Sequence, residues 1–370
     1  MSADDDLLKP LRERIDALDE QLLTLLNERA QCALEVGKIK EQQPAADQEA
    51  TVFYRPERVA QILRRLTEQN PGPLSNADVE TLFREITACC LGLETPMSVA
   101  YFGPQGTYTE AATLKQFGHF VQTLPMASID EVFREVESGV CDYGVVPVEN
   151  STEGMVNLTL DCLLNTNARV CAEVELPIHH ALMRAKEAAP DHQVSKIVSH
   201  AQSLAQCRAW LDQNYPGVPR TAVASNAEAA KQAAADPSLL AVAGEMAADR
   251  YDLRVLATRI EDNPHNKTRF LVLGRQYVGP SGDDKTSILV SVKNEPGALL
   301  RVLSPFQANQ IGLTRIETRP ARSGDWSYVF FIDFDGHESQ AEADAALKDV
   351  KDIALEVRVL GSYPKASGQE

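Results

Sequence analysis

The stretch from Leu11 to Val36 constrains the fold more than any other part of the chain. Leu11, Ile15, Leu18, Leu22, Leu25, Leu26, Ala33 and Val36 recur at helical spacing, and from Leu11 onward no proline or glycine interrupts them until Gly37. The pattern predicts one helix of about 35 residues, long for a globular domain. A loop containing Pro44 follows, then a helix that starts near Pro56 and stops at Asn70-Pro71-Gly72. Ser75 with Asp78 forms a capping box that opens a third helix through Val79, Leu82, Phe83 and Ile86. Two short helices cannot cover so long an apolar stripe. A second copy of the chain is the natural cover, so a homodimer is expected.

Beyond residue 97 the period changes. Short β-rich runs (Val99–Phe102, Tyr143–Val148, Lys196–Ser199, Leu240–Ala243, Phe270–Leu273) alternate with helical stretches, the pattern of an α/β domain that at this length has room for two lobes flanking a cleft. After the linker Gly279-Pro-Ser-Gly-Asp-Asp284 the order becomes strand (Ser287–Val292), helix (298–309), strand (Leu313–Thr318), strand (Ser327–Phe334), helix (338–351), strand (Leu355–Leu360), which is the ferredoxin-like plan. The expected division is therefore an all-helical domain over 1–96, a two-lobed α/β domain over 97–278 and an α+β domain over 285–362, in keeping with a chain of 370 residues.

Composition removes several classes of function. With 36 basic against 53 acidic residues, a net charge of −17 and the basic residues scattered, a nucleic-acid partner is not expected. An anionic small molecule is still allowed, because a few placed cations suffice to hold one. Met1-Ser-Ala-Asp-Asp-Asp has neither a basic nor an apolar leader, and no apolar run reaches the roughly 18–20 residues of a membrane helix, so no membrane association is expected. Seven cysteines without a CxxC pair are expected to be reduced thiols in a cytoplasmic protein. His179-His180 and His265 lack the spacing of metal ligands, and no metal is expected.

Two strands run directly into a loop and helix, at Val99-Ala-Tyr-Phe-Gly-Pro-Gln-Gly-Thr-Tyr-Thr-Glu-Ala-Ala112 and Lys196-Ile-Val-Ser-His-Ala-Gln-Ser-Leu-Ala-Gln-Cys207. Such turns point N–H groups at carboxylates or phosphates, and Gly103 and Gly106 would let a ligand approach the backbone. Pro147-Val-Glu-Asn-Ser-Thr-Glu-Gly154 and Asn266-Lys-Thr-Arg-Phe270 add clusters of hydrogen-bonding side chains, which by themselves are also ordinary loop and capping chemistry. In this order the four stretches resemble the prephenate dehydratases, with Ala201 where that family usually has proline. The resemblance implies that Thr268 is the donor nearest the leaving hydroxyl. It also implies that Asn150, Ser151, Ser199 and Gln206 position the substrate and that Arg269 holds a carboxylate. His200 is either a general acid or a structural donor.

Leu11-Arg-Glu-Arg-Ile-Asp-Ala-Leu-Asp19 and Glu28-Arg29 through Glu35-Val-Gly-Lys-Ile-Lys40 resemble the all-helical chorismate mutases. Arg29 and Lys40 are eleven residues apart, about three turns, and share a helix face, whereas Arg12 is turned by about 100°. The resemblance implies substrate contacts from Arg12, Arg29, Lys40 and Arg58, with Arg12 serving the second subunit. Two acidic positions of that family fall at Arg55 and Val59, and its ether-oxygen donor falls at Glu94. An ionised Glu is only an acceptor, so Glu94 helps only when protonated. Weak to moderate mutase turnover that declines as pH rises is expected.

In the third segment, Asn294-Glu-Pro-Gly-Ala-Leu-Leu-Arg-Val-Leu303 and Glu317-Thr-Arg-Pro320 resemble the amino-acid-sensing motifs of ACT domains, with Thr318 in place of the usual Ser. The resemblance implies a phenylalanine site at Gly297, Ala298, Leu299, Glu317, Thr318 and Arg319. As a whole the chain resembles the bifunctional chorismate mutase–prephenate dehydratases. The implied substrates are chorismate and prephenate, the effector is L-phenylalanine, and no cofactor is needed. A chain ending near residue 280 is then expected to keep some dehydratase activity and to ignore phenylalanine. A dehydratase with a degenerate mutase segment, an arogenate dehydratase and a non-catalytic amino-acid sensor are the alternatives.

Overall fold

The computed structural model describes residues 3–42, 54–189, 193–320 and 328–366; the Pro44 loop and Ser327 lie outside the described residues. The chain divides into two compact units, one built from Met1–Arg55, Ile62–Met97 and Phe117–Gln122, the other from Pro56–Gln61, Ser98–Gln116 and Thr123–Glu370.

In the first unit, α1 (Ala3–Gln42) is a single helix of 40 residues. It lies against α3 (Asn76–Glu94), where Gly37 sits within van der Waals reach of the Glu94 backbone. The expected capping box is present: the Ser75 hydroxyl accepts from Asp78 N–H and Asp78 accepts from Ser75 N–H, an arrangement worth about 1 kcal/mol. Between them, α2 (Pro56–Glu68) begins with proline at its first turn, where the missing N–H costs nothing. The N-terminal stretch of α1 is bare. Leu11, Ile15, Leu18, Leu22, Leu25 and Leu26 are 41–61% exposed.

The second unit opens with one lobe of α/β structure: β1 (Ser98–Phe102), α4 (Tyr108–Phe117), β2 (Gln122–Met126), α5 (Ile129–Ser138), β3 (Tyr143–Asn150), β4 (Gly154–Met155), α6 (Asn157–Leu163) and β5 (Arg169–Pro177). The chain then crosses into a second lobe of β6 (Ala181–Ala185), β7 (Lys196–His200), α7 (Ala201–Gln206), α8 (Arg208–Asn214), β8 (Arg220–Val223), α9 (Asn226–Ala235), β9 (Leu239–Ala243), α10 (Glu245–Arg250) and β10 (Leu253–Ala257). It returns to the first lobe through β11 (Lys267–Gly274). The first sheet runs β2-β1-β3-β11-β5 and the second β10-β6-β9-β7-β8. β11 is antiparallel to both its neighbours, so its first residues, at the re-entry point from the second lobe, lie beside the end of β3.

The remaining elements are β12 (Asp284–Val292), α11 (Ala298–Ala308), β13 (Leu313–Pro320), β14 (Tyr328–Asp335), α12 (Ala341–Ile353) and β15 (Glu356–Pro364), in the sheet order β13-β14-β12-β15. Two sequence expectations need correction here. The stretch 279–284 is a pinned turn rather than a free linker, because the Asp284 carboxylate accepts from Ser281 and Gly282 N–H. Nor is the third segment a detachable module. Leu289, Phe331, Leu360 and Tyr363 share one core with Val146, Val148 and Leu271 of the first lobe. At Gly361 the strands approach so closely that an added Cβ would stand 2.1 Å from the Val170 carbonyl oxygen.

Candidate active site

The register of β3 and β11 organises the site. Thr268 is directly opposite Asn150, and the next rung sets Arg269 opposite Glu149. Successive strand residues point to opposite faces of a sheet, so the two rungs serve different sides. The Thr268 rung opens onto the crossover between the lobes. The Arg269 rung faces the third segment's sheet.

On the first side, Asn150 Nδ2 donates to Thr268 Oγ1 at 2.9 Å and to Asn266 Oδ1 at 2.9 Å. Thr152 Oγ1 donates to Asn150 Oδ1 at 2.6 Å, and Ser151 Oγ accepts from Lys267 N–H at 3.0 Å. Asn266 Nδ2 in turn donates to Gln206 Oε1 at 3.1 Å. Gln206 belongs to the second lobe, so this network ties the lobes together at the mouth of the site. Thr268 is half-buried, which leaves its hydroxyl reachable from solvent. The structure thus brings together Thr268, Asn150, Ser151 and Gln206.

Two expected substrate ligands lie elsewhere. Arg269 is turned to the opposite face and is 9% exposed. It donates to Glu173 and Asp333 at 2.7 Å each and to the Tyr363 hydroxyl at 3.0 Å, so it is not available to a substrate carboxylate; strand alternation is the reason. Burial disfavours its charge, but Tyr363, Asp333 and Glu173 outweigh that and hold it firmly protonated. Burial likewise pushes the Asp333 carboxyl up, and Arg269, Arg315 and the Ser287 hydroxyl reverse the effect and hold it below the usual carboxylate range. Lys285 closes the cluster on Glu173 at 2.7 Å. Ser199 is fully buried, and its hydroxyl reaches the Val242 carbonyl at 2.5 Å and Asn226 Oδ1 at 3.0 Å. It holds the turn between β7 and α7 and does not face the site.

His200 caps that same turn, its N–H donating to Asn226 Oδ1 at 3.3 Å. Gly106 does make a close approach, but to protein: its N–H donates to the buried Glu110 carboxylate at 2.6 Å, and a Cβ there would meet Tyr251 and Ala247. Arg250 closes on the other Glu110 oxygen at 2.6 Å.

In the helical unit, Lys40 pairs with Glu94 at 2.9 Å, with the Glu94 side chain 8% exposed. Arg29 reaches Thr87 Oγ1 at 3.2 Å and the Ile86 carbonyl at 3.4 Å, on the same face as Lys40. Arg12 stands on the exposed stretch of α1, and Arg58 belongs to the segment Pro56–Gln61 of the second compact unit. Val59 is buried.

At the expected effector site, Gly297 takes a left-handed φ of 78° before α11, and Ala298 and Leu299 pack into the sheet's core. Glu317 and Thr318 lie on β13, the edge strand. Arg319 is already engaged, donating to Asp161 at 2.5 Å and Asn157 at 2.6 Å on α6, so it anchors β13 to the first lobe rather than standing open for a ligand.

Several participants were not legible as such. Asn266, Thr152 and Tyr108 lie inside the motif stretches without being singled out there, and His180 lies outside all four. His180 attracts notice only as half of a His-His pair. Glu173 sits on β5, a strand without a clear pattern, and Asp333, which shares Arg269 with it, is 160 residues further on.

The architecture defines a two-lobed α/β enzyme with an amide-and-hydroxyl site at the lobe crossover, a ferredoxin-like regulatory sheet built into its core, and an all-helical segment ahead of it. The prephenate dehydratase family matches residues 99–277, the type II chorismate mutase family 11–95 and the ACT domain family 286–352. A bifunctional chorismate mutase/prephenate dehydratase of Pseudomonas aeruginosa is 56% identical over 98% of this chain and 99% of its own length. One from Stutzerimonas stutzeri is 55% identical over 98% of both. Among solved structures, the prephenate dehydratase of Arthrobacter aurescens in complex with L-Phe superposes with a TM-score of 0.67 at 33% identity, covering 74% of this chain and 91% of that one. The chain belongs to the bifunctional chorismate mutase/prephenate dehydratase family.

Proposed function

We propose that this chain rearranges chorismate to prephenate in its helical segment and converts prephenate to phenylpyruvate at the Thr268 site, under feedback inhibition by L-phenylalanine through the ACT segment. The observation that carries the dehydratase reading is the Asn150–Thr268 hydrogen bond. Asn150 occupies an acceptor lone pair of Thr268 Oγ1, and the hydroxyl keeps its own hydrogen for a ligand. In the reaction the bond from ring C1 to its carboxylate breaks, and its electron pair completes the aromatic ring and expels hydroxide from C4. The departing oxygen takes the Thr268 proton and leaves as water, and Thr268 regains a proton from solvent. The products are phenylpyruvate, carbon dioxide and water, with one proton consumed. Positioned acids of this kind contribute roughly 10²–10⁴-fold.

With Arg269 turned away, the neutral groups of Ser151 and Gln206 are left to position the substrate, and Asn150 positions it indirectly by setting Thr268. The mutase reaction is an internal rearrangement, for which Arg29 and Lys40 from one copy and Arg12 from a second copy supply the cations. Neither step calls for a cofactor. The bare Leu11–Leu26 face of α1 supports a homodimer, and sedimentation of the dilute protein tests this, a monomer overturning it. Work in the cytoplasm is supported by seven free cysteines and by the lack, among the described residues, of any helix long and apolar enough to cross a membrane.

The deciding experiment supplies purified protein with prephenate and follows phenylpyruvate absorbance, with arogenate and chorismate in parallel. Turnover of prephenate above arogenate, with consumption of chorismate, is expected. Binding of prephenate without turnover would make the protein a sensor and overturn the reading.

A further inference from the structure

We propose that His180, beside Tyr108, is a positioning residue of the dehydratase: it holds the Gln206 amide with its oxygen toward Asn266 and so braces the Asn266–Asn150–Thr268 chain, whose direction leaves the Thr268 hydroxyl hydrogen free for the leaving oxygen. This rests on the dehydratase reading above. Backbone groups, whose donor character cannot reverse, set that direction. Asn150 Oδ1 accepts from Thr152 N–H at 3.0 Å and Glu153 N–H at 3.1 Å, so the other end of that amide is its NH2. The two hydrogens of this NH2 go to Asn266 Oδ1 and Thr268 Oγ1, both at 2.9 Å.

Asn266 therefore presents oxygen to Asn150 and NH2 to Gln206, whose Oε1 accepts it at 3.1 Å. That oxygen also faces His180 Nε2 at 2.9 Å, so Nε2 must carry a hydrogen. His180 is 1% exposed, and burial lowers its tendency to take a second proton. In the neutral ring Nδ1 is a lone pair, and the Tyr108 hydroxyl, 2.8 Å from both Nδ1 and the His179 carbonyl oxygen, shares its one hydrogen between these two acceptors. The polarity is thus set at the Asn150 end, by two backbone amides, and a neutral His180 with its hydrogen on Nε2 is the ring state that matches it.

The alternative arrangement shows what the ring prevents. With the hydrogen on Nδ1, the bare Nε2 would face Gln206 Oε1, acceptor against acceptor. Turning the Gln206 amide over to relieve this would set its NH2 against the NH2 of Asn266. Asn266 would then lose Gln206 as its acceptor, and the brace behind Asn150 and Thr268 would loosen. His180 touches no reacting atom in this scheme. It acts through Gln206 and Asn266, and Glu261, which accepts the His180 N–H at 2.9 Å and the His179 ring at 2.7 Å, holds its backbone in place.

The test uses the full-length protein. Ring-nitrogen NMR of the wild type at neutral pH should show His180 with hydrogen on Nε2 only. A ring carrying hydrogen on Nδ1, alone or with Nε2, overturns the proposal. His180→Gln places an amide nitrogen where Nε2 was, and His180→Asn does not. His180→Asn should lower dehydratase kcat roughly tenfold to hundredfold with KM little changed, as for a buried polar group left unpaired, while His180→Gln should stay within about fivefold of wild type. Equal loss in both variants, or a loss confined to KM, overturns it. The cooperative thermal transition reports whether each variant is folded, and the wild-type spectrum decides the matter if His180→Asn is not.

Discussion

Glu149 and Arg269 face each other across β3 and β11, one rung from Asn150 and Thr268, and both reach into the ACT sheet: Glu149 meets Arg315 at 3.4 Å and Arg269 meets Asp333 at 2.7 Å. Two adjacent residues on each strand therefore answer to different masters. One faces the proposed dehydratase site, the other the ACT sheet. A displacement of β13 or β14 would have to cross only a single residue of strand to reach that site.

Thr268→Ala should lower dehydratase kcat by at least roughly 10²-fold, the scale of one lost acid or oxyanion donor. Mutase turnover should be unchanged, because its residues lie in the helical segment. Near-normal phenylpyruvate formation by the variant would remove Thr268 from the mechanism.

Glu149→Gln should leave uninhibited dehydratase turnover within a few-fold of wild type and weaken phenylalanine inhibition. Allosteric couplings are typically about 1–3 kcal/mol, so the half-inhibitory concentration can rise severalfold but not without limit. An unchanged inhibition curve would show that the coupling does not pass through this rung.

Ending the chain near residue 280 would strip Arg269 of Asp333 and Tyr363, and Glu173 of Lys285, while uncovering the shared core. Breaking a buried ion pair from one side costs about 3–5 kcal/mol, a large part of a domain's stability. The truncated chain is expected to lose dehydratase activity by unfolding, seen as loss of the cooperative thermal transition. A folded, active, phenylalanine-insensitive fragment would restore the view of the ACT segment as an add-on.

Acid should attack the same junction. The Asp333 carboxyl titrates lower in the folded chain than in the unfolded one, so as pH falls the unfolded chain takes up the proton first. Its contribution is therefore complete above about pH 4, the ordinary Asp range, and is lost as pH drops further through the depressed folded value. Asp333→Asn should flatten the fall of unfolding temperature below pH 4, at the expense of a lower value near neutrality. An identical acid profile in the variant would place the sensitive group elsewhere.

In the mutase, Glu94 is held by Lys40 at 2.9 Å, so the cation expected for chorismate is shared with a carboxylate that cannot donate to the ether oxygen. Glu94→Gln should release Lys40, supply an amide donor and raise mutase turnover. A variant that keeps the wild-type rate would mean that Glu94 is not at the reacting bond.

Local chemistry was readable from the sequence and long-range pairing was not. The capping box at Ser75, the long helix from its Leu and Ile spacing, and the strand–loop–helix turns all follow from neighbours within a few residues. Thr268 and Asn150 could be singled out because each sits in a short polar motif. Arg269 was misplaced because a motif does not state which face of a strand its members take; that depends on pairing with Glu149 and on a partner, Asp333, 64 residues downstream. His180 and Tyr108 stand 72 residues apart and meet only because the chain crosses between lobes beside α4.

The close passage at Gly361 has a consequence for how such a chain can change over generations. Any side chain there would part β15 from β5, and with them the strands that hold Asp333 and Glu173 against Arg269. Regulator and catalyst thus cannot be shuffled as independent cassettes. A recombinant that imported a foreign ACT segment would inherit unmatched charges and a steric wedge, and would have to acquire substitutions on both sides of the seam before either half worked.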